Sequence, residues 1–260
     1  MSHQVAILCG GLGTRLREET EIKPKPMVTI GGRPILWHIM SIYAAQGFTD
    51  FVLCLGYKGS VIRDYFLNYK MQNATTRVGL RSGDVTVLSN DAELPDWTVT
   101  LVDTGDDSLT GTRLRRVLPH IKGERFLATY GDGVADVDLN ALIATHEQGS
   151  KVATVTAVHP SSRFGELNLT GDVVKAFKEK PQVEQGWING GFFVFEKKAF
   201  EAAPAGNFSL EGGMLETIAG SKQLGVYRHN GFWQCMDTHR EMQLLNQMWD
   251  EGKANWKVWS

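Results

Sequence analysis

An apolar run from Val5 to Cys9 empties directly into Gly10-Gly11-Leu12-Gly13-Thr14-Arg15. A run with no polar break reads as a strand buried on both faces, which belongs in a sheet covered by helices on each side. Glycines at its end let bare backbone N–H groups approach an anion, because no Cβ intervenes. Lys23-Pro24-Lys25-Pro26-Met27 follows shortly after. Each proline fixes its own φ and pushes the preceding lysine towards extended backbone, so Lys23 and Lys25 are expected to point inward from a stiff loop. With Arg15 they make a polyphosphate site, and a nucleotide becomes the first ligand to suspect. The loop is not a P-loop, since no Gly is followed by Lys-Ser or Lys-Thr at the required spacing. It is not a dinucleotide fingerprint either, since the third glycine of that pattern is missing.

The first half keeps up an alternation of strand and helix. Strands are expected at Val5 to Cys9, Phe51 to Leu55, Val99 to Val102 and Phe126 to Tyr130. Pro34 opens a helix with Ile35, Leu36, Ile39, Met40, Ile42 and Tyr43 on its apolar stripe, and Gly47 ends it. Further helices are expected at Val61 to Tyr69, Thr112 to Leu118 and Asp138 to Gln148. This order predicts an α/β fold, with a mainly parallel sheet and helices on both faces. The rhythm then changes. Val152 to Val158, Glu166 to Leu169, Val173 to Phe177 and Trp187 to Phe195 read as strands of a smaller antiparallel portion. A C-terminal helix starts at a capping box, Thr238 with Glu241, and runs to Gly252. Met71 to Leu94 is polar and irregular. With no repeat and no linker, residues 1–260 are expected to form a single domain.

Composition narrows the partners. A net charge of -2 over 260 residues argues against a general nucleic-acid binder, so an anionic ligand must be held by local clusters. No run is long enough to span a bilayer, and no signal peptide is recognisable. The three cysteines, Cys9, Cys54 and Cys235, have no metal spacing and read as thiols of a reducing compartment. A cytoplasmic location is expected.

Ligands of an open α/β sheet sit at the carboxyl ends of its strands. Asp132, in Tyr130-Gly131-Asp132-Gly133, falls at such an end, and so does Asp237 after Phe232-Trp233-Gln234-Cys235-Met236. Two carboxylates beside a triphosphate site point to Mg2+, which takes oxygen ligands and commonly one or two carboxylates. Asp136-Val137-Asp138 is a second acidic pair, of the type metal-dependent glycosyltransferases use, but its place before a helix favours an N-cap. Lys180, held extended by Pro181, is a candidate for a second phosphate, and Asn189 for a hydroxyl. No general base stands out. A phosphate monoester needs none, because it is already anionic and can attack the α-phosphorus of a nucleotide directly.

These motifs, in this order, resemble those of the sugar-phosphate nucleotidyltransferases. The signature is the glycine loop with Lys23 to Met27. Pro34-Ile35-Leu36-Trp37-His38-Ile39-Met40, Val102-Asp103-Thr104-Gly105, Thr110-Gly111-Thr112-Arg113-Leu114, Thr129 to Gly133, Ile188 to Phe193, Gly231 to Gln234 and Met236-Asp237-Thr238 look like its cytidylyltransferase branch. The resemblance implies a Rossmann-like core that joins CTP to a sugar 1-phosphate, with α-D-glucose 1-phosphate the first acceptor to consider. It puts the nucleotide along Leu8, Cys9, Gly10, Gly11, Leu12, Gly13 and Thr14, with Ser108, Arg113 and Gly131 nearby. Arg15 and Lys25 match groups that bind the triphosphate and, with Asp132, carry catalysis. Asp132 and Asp237 match metal ligands, Lys180 the lysine on the sugar phosphate, and Tyr130, Glu179 and Asn189 sugar contacts. Residues 1–150 would then be mainly the nucleotide half, and 151–260 the sugar-phosphate half with the C-terminal helix. A homo-oligomer, often a hexamer in the family, is also implied. The departures lie at the sugar end: Pro160-Ser161-Ser162, Glu166, the segment Leu210 to Leu215, and Cys235. They keep a different phosphorylated acceptor open.

Overall fold

The computed structural model describes residues 3–11, 13–89, 94–160, 166–170, 173–178 and 186–259. Seven strands form the central sheet: β1 (Val5–Leu8), β2 (Asp50–Leu55), β3 (Thr98–Asp103), β4 (Arg125–Tyr130), β5 (Ala153–Val158), β6 (Ile188–Glu196) and β7 (Leu224–Arg228). Their spatial order is β7-β5-β6-β4-β1-β2-β3. β1 lies in the middle and pairs parallel with β2 and β4, while β3 continues the parallel run beyond β2. β6 alone runs against its neighbours, β4 and β5.

The alternation of side chains explains the two layers. Val5, Ile7, Phe51 and Leu53 face helix α1 (Ile35–Ala44) and the layer that also holds α4 (Leu139–Gly149) and α5 (His239–Asp250). Ala6, Leu8, Val52 and Cys54 face the opposite layer, which contains α3 (Thr110–Val117). The first strands therefore show no polar beat in sequence, since both faces are covered. Each fully buried Ile, Leu or Phe contributes roughly 1.5–3 kcal/mol, and the expected stripe of α1 is buried throughout. The expected ends hold as well. Asp138 caps α4, accepting a bond from Ala141 N at 2.9 Å, and Thr238 with Glu241 forms the capping box of α5. The other helix expected in the first half from Val61, α2, spans Gly59–Leu67.

Two features differ from expectation. The strands after residue 150 divide. β5 and β6 join the main sheet, whereas Glu166–Thr170 with Val173–Lys178 forms a separate antiparallel pair. The irregular stretch from Met71 contains a hairpin, Thr75–Val78 against Val85–Ser89. Val78, Leu80, Val85 and Leu88 on it are exposed, so it has no buried face whose alternation could be read.

A pH dependence of stability follows from α1. His38 is buried, its Nε2 lies 2.8 Å from the Ile30 carbonyl, and its Nδ1 receives the Trp256 indole N–H at 3.4 Å. A neutral ring with the proton on Nε2 satisfies both partners, whereas a second proton would face another N–H. Burial lowers the His38 pKa from 6.5 to about 4. Above about 6.5 both the folded and unfolded states hold neutral His38. Between that pH and about 4 only the unfolded state takes the proton, so stability falls with pH, by about 3 kcal/mol over the window. Chemical denaturation at pH 7 and pH 4.5 is expected to show this loss, and His38→Gln should flatten it. An acid limb unchanged in the variant would remove His38 as its cause.

Candidate active site

The adjacent carboxyl ends of β1 and β4, where Leu8 pairs with Tyr130, open into a cavity of about 690 Å³. Leu8, Gly10, Gly11, Gly13, Thr14, Arg15, Lys25, Ser108, Arg113, Tyr130, Gly131, Asp132 and Asp237 line it. Most of the residues expected from sequence are thus brought together. Gly131 is required by contact: a Cβ there would sit 2.6 Å from the Leu8 carbonyl oxygen. Cys9 falls outside the cavity, contrary to expectation. Its thiol is buried in the core, burial raises its pKa, and its N–H is engaged by Cys54 O at 3.0 Å. Lys23 pairs with Glu19 at 3.2 Å and does not join the cavity lining. Leu12, Glu179 and Lys180 lie outside the described residues.

The two acids come from one short ribbon. Gly133–Ala135 pairs antiparallel with Trp233–Cys235, Gly133 opposite Cys235. Asp132 precedes one strand and Asp237 follows the other, and Met236 N donates to the Asp132 carbonyl at 2.8 Å. Both carboxylates close on the Lys25 ammonium, at 2.5 Å from Asp132 Oδ2 and in a short bond to Asp237 Oδ1. Arg15, at the mouth and 73% exposed, reaches Asp237 at 3.4 Å. Burial lowers the Lys25 pKa, but the charges and hydrogen bonds of Asp132 and Asp237 outweigh it, and the net displacement is upward. Lys25 is therefore a permanent cation at neutral pH.

Arg113 has a different place. It is 3% exposed. Nη1 donates to Leu55 O (3.1 Å), Thr104 Oγ1 (2.9 Å) and Gly105 O (2.7 Å), and Nη2 to Gly10 O (3.0 Å) and Asp106 O (3.0 Å). One guanidinium thus ties the ends of β1, β2 and β3 together. Gly10 makes room for it, since a Cβ there would collide with the guanidinium. Burial lowers the Arg113 pKa from its ordinary high value, yet an arginine stays protonated in a protein. The site therefore carries a fixed positive charge behind its glycine loop.

Glu211 is a cavity residue that sequence reasoning missed, as are Asp106, Asp107, Leu109 and Ser209. Glu211 Oε1 accepts from the Tyr130 hydroxyl at 2.5 Å and its Oε2 from Thr110 Oγ1 at 2.8 Å. Asn189, off the cavity wall itself, donates to the Tyr130 hydroxyl at 3.1 Å. Burial and the adjacent Glu211 charge raise the Tyr130 pKa, so its hydroxyl stays protonated. In sequence Glu211 was visible only as one residue of the Leu210 to Leu215 segment. Asp136 and Asp138 do not line the cavity: Asp138 caps α4, and Asp136 Oδ1 lies 2.9 Å from His229 Nε2.

A family model described as nucleotidyl transferase matches residues 4–234. The chain belongs to the nucleotidyl transferase family. This nucleotidyl transferase is 47% identical over 98% of its length to the glucose-1-phosphate cytidylyltransferase of Salmonella typhimurium, covering 99% of that protein. It is 42% identical to the probable glucose-1-phosphate cytidylyltransferase of Bacillus subtilis, over 98% of this chain and 100% of the relative. The crystal structure of HddC from Yersinia pseudotuberculosis shares its fold, with a TM-score of 0.68 at 22% identity over 95% of this chain and 99% of that one. The family resemblance read from the motifs is borne out. So is a mixed α/β fold built on a large, mainly parallel sheet with small antiparallel ones.

Proposed function

We propose that this protein transfers a cytidylyl group from CTP to α-D-glucose 1-phosphate, giving CDP-glucose and pyrophosphate. The substrates are those in the names of its cytidylyltransferase relatives. The chemistry rests on one observation, the Lys25 ammonium held between two carboxylates beside the glycine loop. Asp132 and Asp237, aimed at a single cation, also suit Mg2+, a hard ion that takes one or two carboxylates and fills its other positions with water and phosphate oxygens. Among the described residues no cluster of three or more His, Cys, Asp or Glu offers a richer site. Asp132 and Asp237 would hold that ion, and it would screen the charge of the triphosphate.

The chain's own residues do the rest. A phosphate monoester is anionic at neutral pH, so its oxygen attacks the α-phosphorus without a protein base. The bond from that phosphorus to the bridging oxygen breaks, and pyrophosphate leaves with the electron pair. The glycine loop and the cations around it align the chain of phosphates for an in-line path. Arg15 and Lys25 supply positive charge where the leaving group becomes more negative.

We take the protein to act in the cytoplasm, with its CTP supply. No helix among the described residues is long and apolar enough to cross a membrane. We also take it to be a homo-oligomer, a second copy covering some of the apolar surface at Val78, Leu80, Val85 and Leu88.

A matrix of four nucleoside triphosphates against several sugar 1-phosphates, read as released pyrophosphate, tests the reaction. CTP with glucose 1-phosphate and Mg2+ is expected to give the highest rate, and a chelator to abolish it. A faster acceptor would replace glucose 1-phosphate. No pyrophosphate from any pairing would end the transferase reading.

A further inference from the structure

Resting on that reading, we propose that Glu211 determines specificity by accepting hydrogen bonds from ligand hydroxyl groups in the cavity. The cavity walls carry the cations Arg15, Lys25 and Arg113 as well as the acids Asp106, Asp107, Asp132 and Asp237, of which Asp132 is paired with Lys25, and Asp237 with Lys25 and Arg15. A carboxylate there repels phosphate unless a cation neutralises it, and among the described residues Glu211 has no cationic partner. Both of its protein contacts are with neutral hydroxyls, Tyr130 and Thr110.

The carboxylate is also held still. The Tyr130 hydroxyl is fixed by Asn189 Nδ2 at 3.1 Å, and Thr110 Oγ1 accepts from Leu210 N at 2.8 Å. The turn that carries Glu211 is closed by Ser209 Oγ, which accepts from Gly212 N at 3.0 Å. An ionised carboxylate offers about four lone-pair sites, so each oxygen keeps accepting capacity beyond its hydroxyl partner. Glu211 is exposed to the cavity. Its free capacity is therefore a charged acceptor with no donor of its own. Such a group selects O–H donors and turns phosphate away. Two parts of the substrates carry hydroxyls, the hexose ring and the ribose.

The experiment compares wild type with Glu211→Gln, which keeps shape but loses the charge and half the acceptor character. KM is measured separately for glucose 1-phosphate and for CTP. Monodeoxy sugar 1-phosphates and 2′-deoxy- and 3′-deoxy-CTP are run beside them. Wild type is expected to lose about 10-fold or more in kcat/KM for at least one deoxy analogue, the cost of leaving a site acceptor unpaired. The variant should raise KM about 10-fold for the parent of that analogue, hold the other substrate within about twofold, and lose the discrimination. A loss confined to the sugar phosphate assigns the hexose, and one confined to CTP assigns the ribose. Equal discrimination in the two proteins would overturn the proposal, as would wild-type indifference to every deoxy analogue, which needs no variant to fold. Calorimetric affinities for each ligand alone carry the same comparison. Pyrophosphate release by wild type separates failure of this proposal from failure of the reaction itself.

Discussion

Lys25→Ala is expected to lower kcat by about 10³-fold while the protein stays folded. Removing one preorganised positive or hydrogen-bonding group from a developing anion typically costs 10²–10³-fold, and Lys25 is the most enclosed mobile cation of the pair it forms with Arg15. The stability effect should be small. The Asp132 and Asp237 side chains are each 30% exposed, so water screens much of the repulsion that loss of the ammonium would unmask. Lys25→Arg should recover part of the rate, since it keeps the charge but changes the shape of the donor. A second readout does not depend on turnover. Without the ammonium Asp132 loses its ion pair and Asp237 keeps Arg15 at 3.4 Å, so the nucleotide-free variant is expected to bind Mn2+ more tightly than wild type. Steady-state kinetics, a thermal melt and a Mn2+ titration decide it. A rate unchanged from wild type would remove Lys25 from the mechanism.

Arg113→Met is expected to destabilise the fold by about 3–5 kcal/mol and to abolish tight CTP binding together with it. The side chain is buried and serves five acceptors drawn from Leu55, Thr104, Gly105, Gly10 and Asp106. Methionine fills similar space but donates nothing. Each buried acceptor stripped of its donor costs about 1–3 kcal/mol, discounted for those that relax to water. Arg113→Lys keeps the charge on a single nitrogen, which cannot span the ends of three strands. It should therefore recover less than half of the lost stability. Denaturant melts and calorimetric CTP titration of both variants test the pair of effects. A variant as stable as wild type that still binds CTP would show that the strand ends hold without the guanidinium.

The comparison of Arg113 with Lys25 explains what sequence could reveal. Lys25 was legible because its neighbours are prolines and its loop follows a glycine turn, all within a short stretch. Asp132 was legible because it ends a strand. Arg113 sits in a basic helix start, and its acceptors lie as far off as Gly10, 103 residues away; no local pattern encodes that. The same limit hid the course of β6. Alternation and apolarity identify a strand, but its insertion between β4 and β5 is decided by packing of the whole chain. Glu211 was hidden for a third reason. An isolated acid after Leu210 reads as ordinary surface until Tyr130 and Thr110 are seen to converge on it.

The ribbon that carries Asp132 and Asp237 has a mechanical consequence. The gape between the acids is set by one rung of backbone, Met236 N to Asp132 O, and not by the breadth of the sheet. They behave as the jaws of a fixed caliper. A rung this local would keep the gauge's calibration even if regions flanking the cleft shifted.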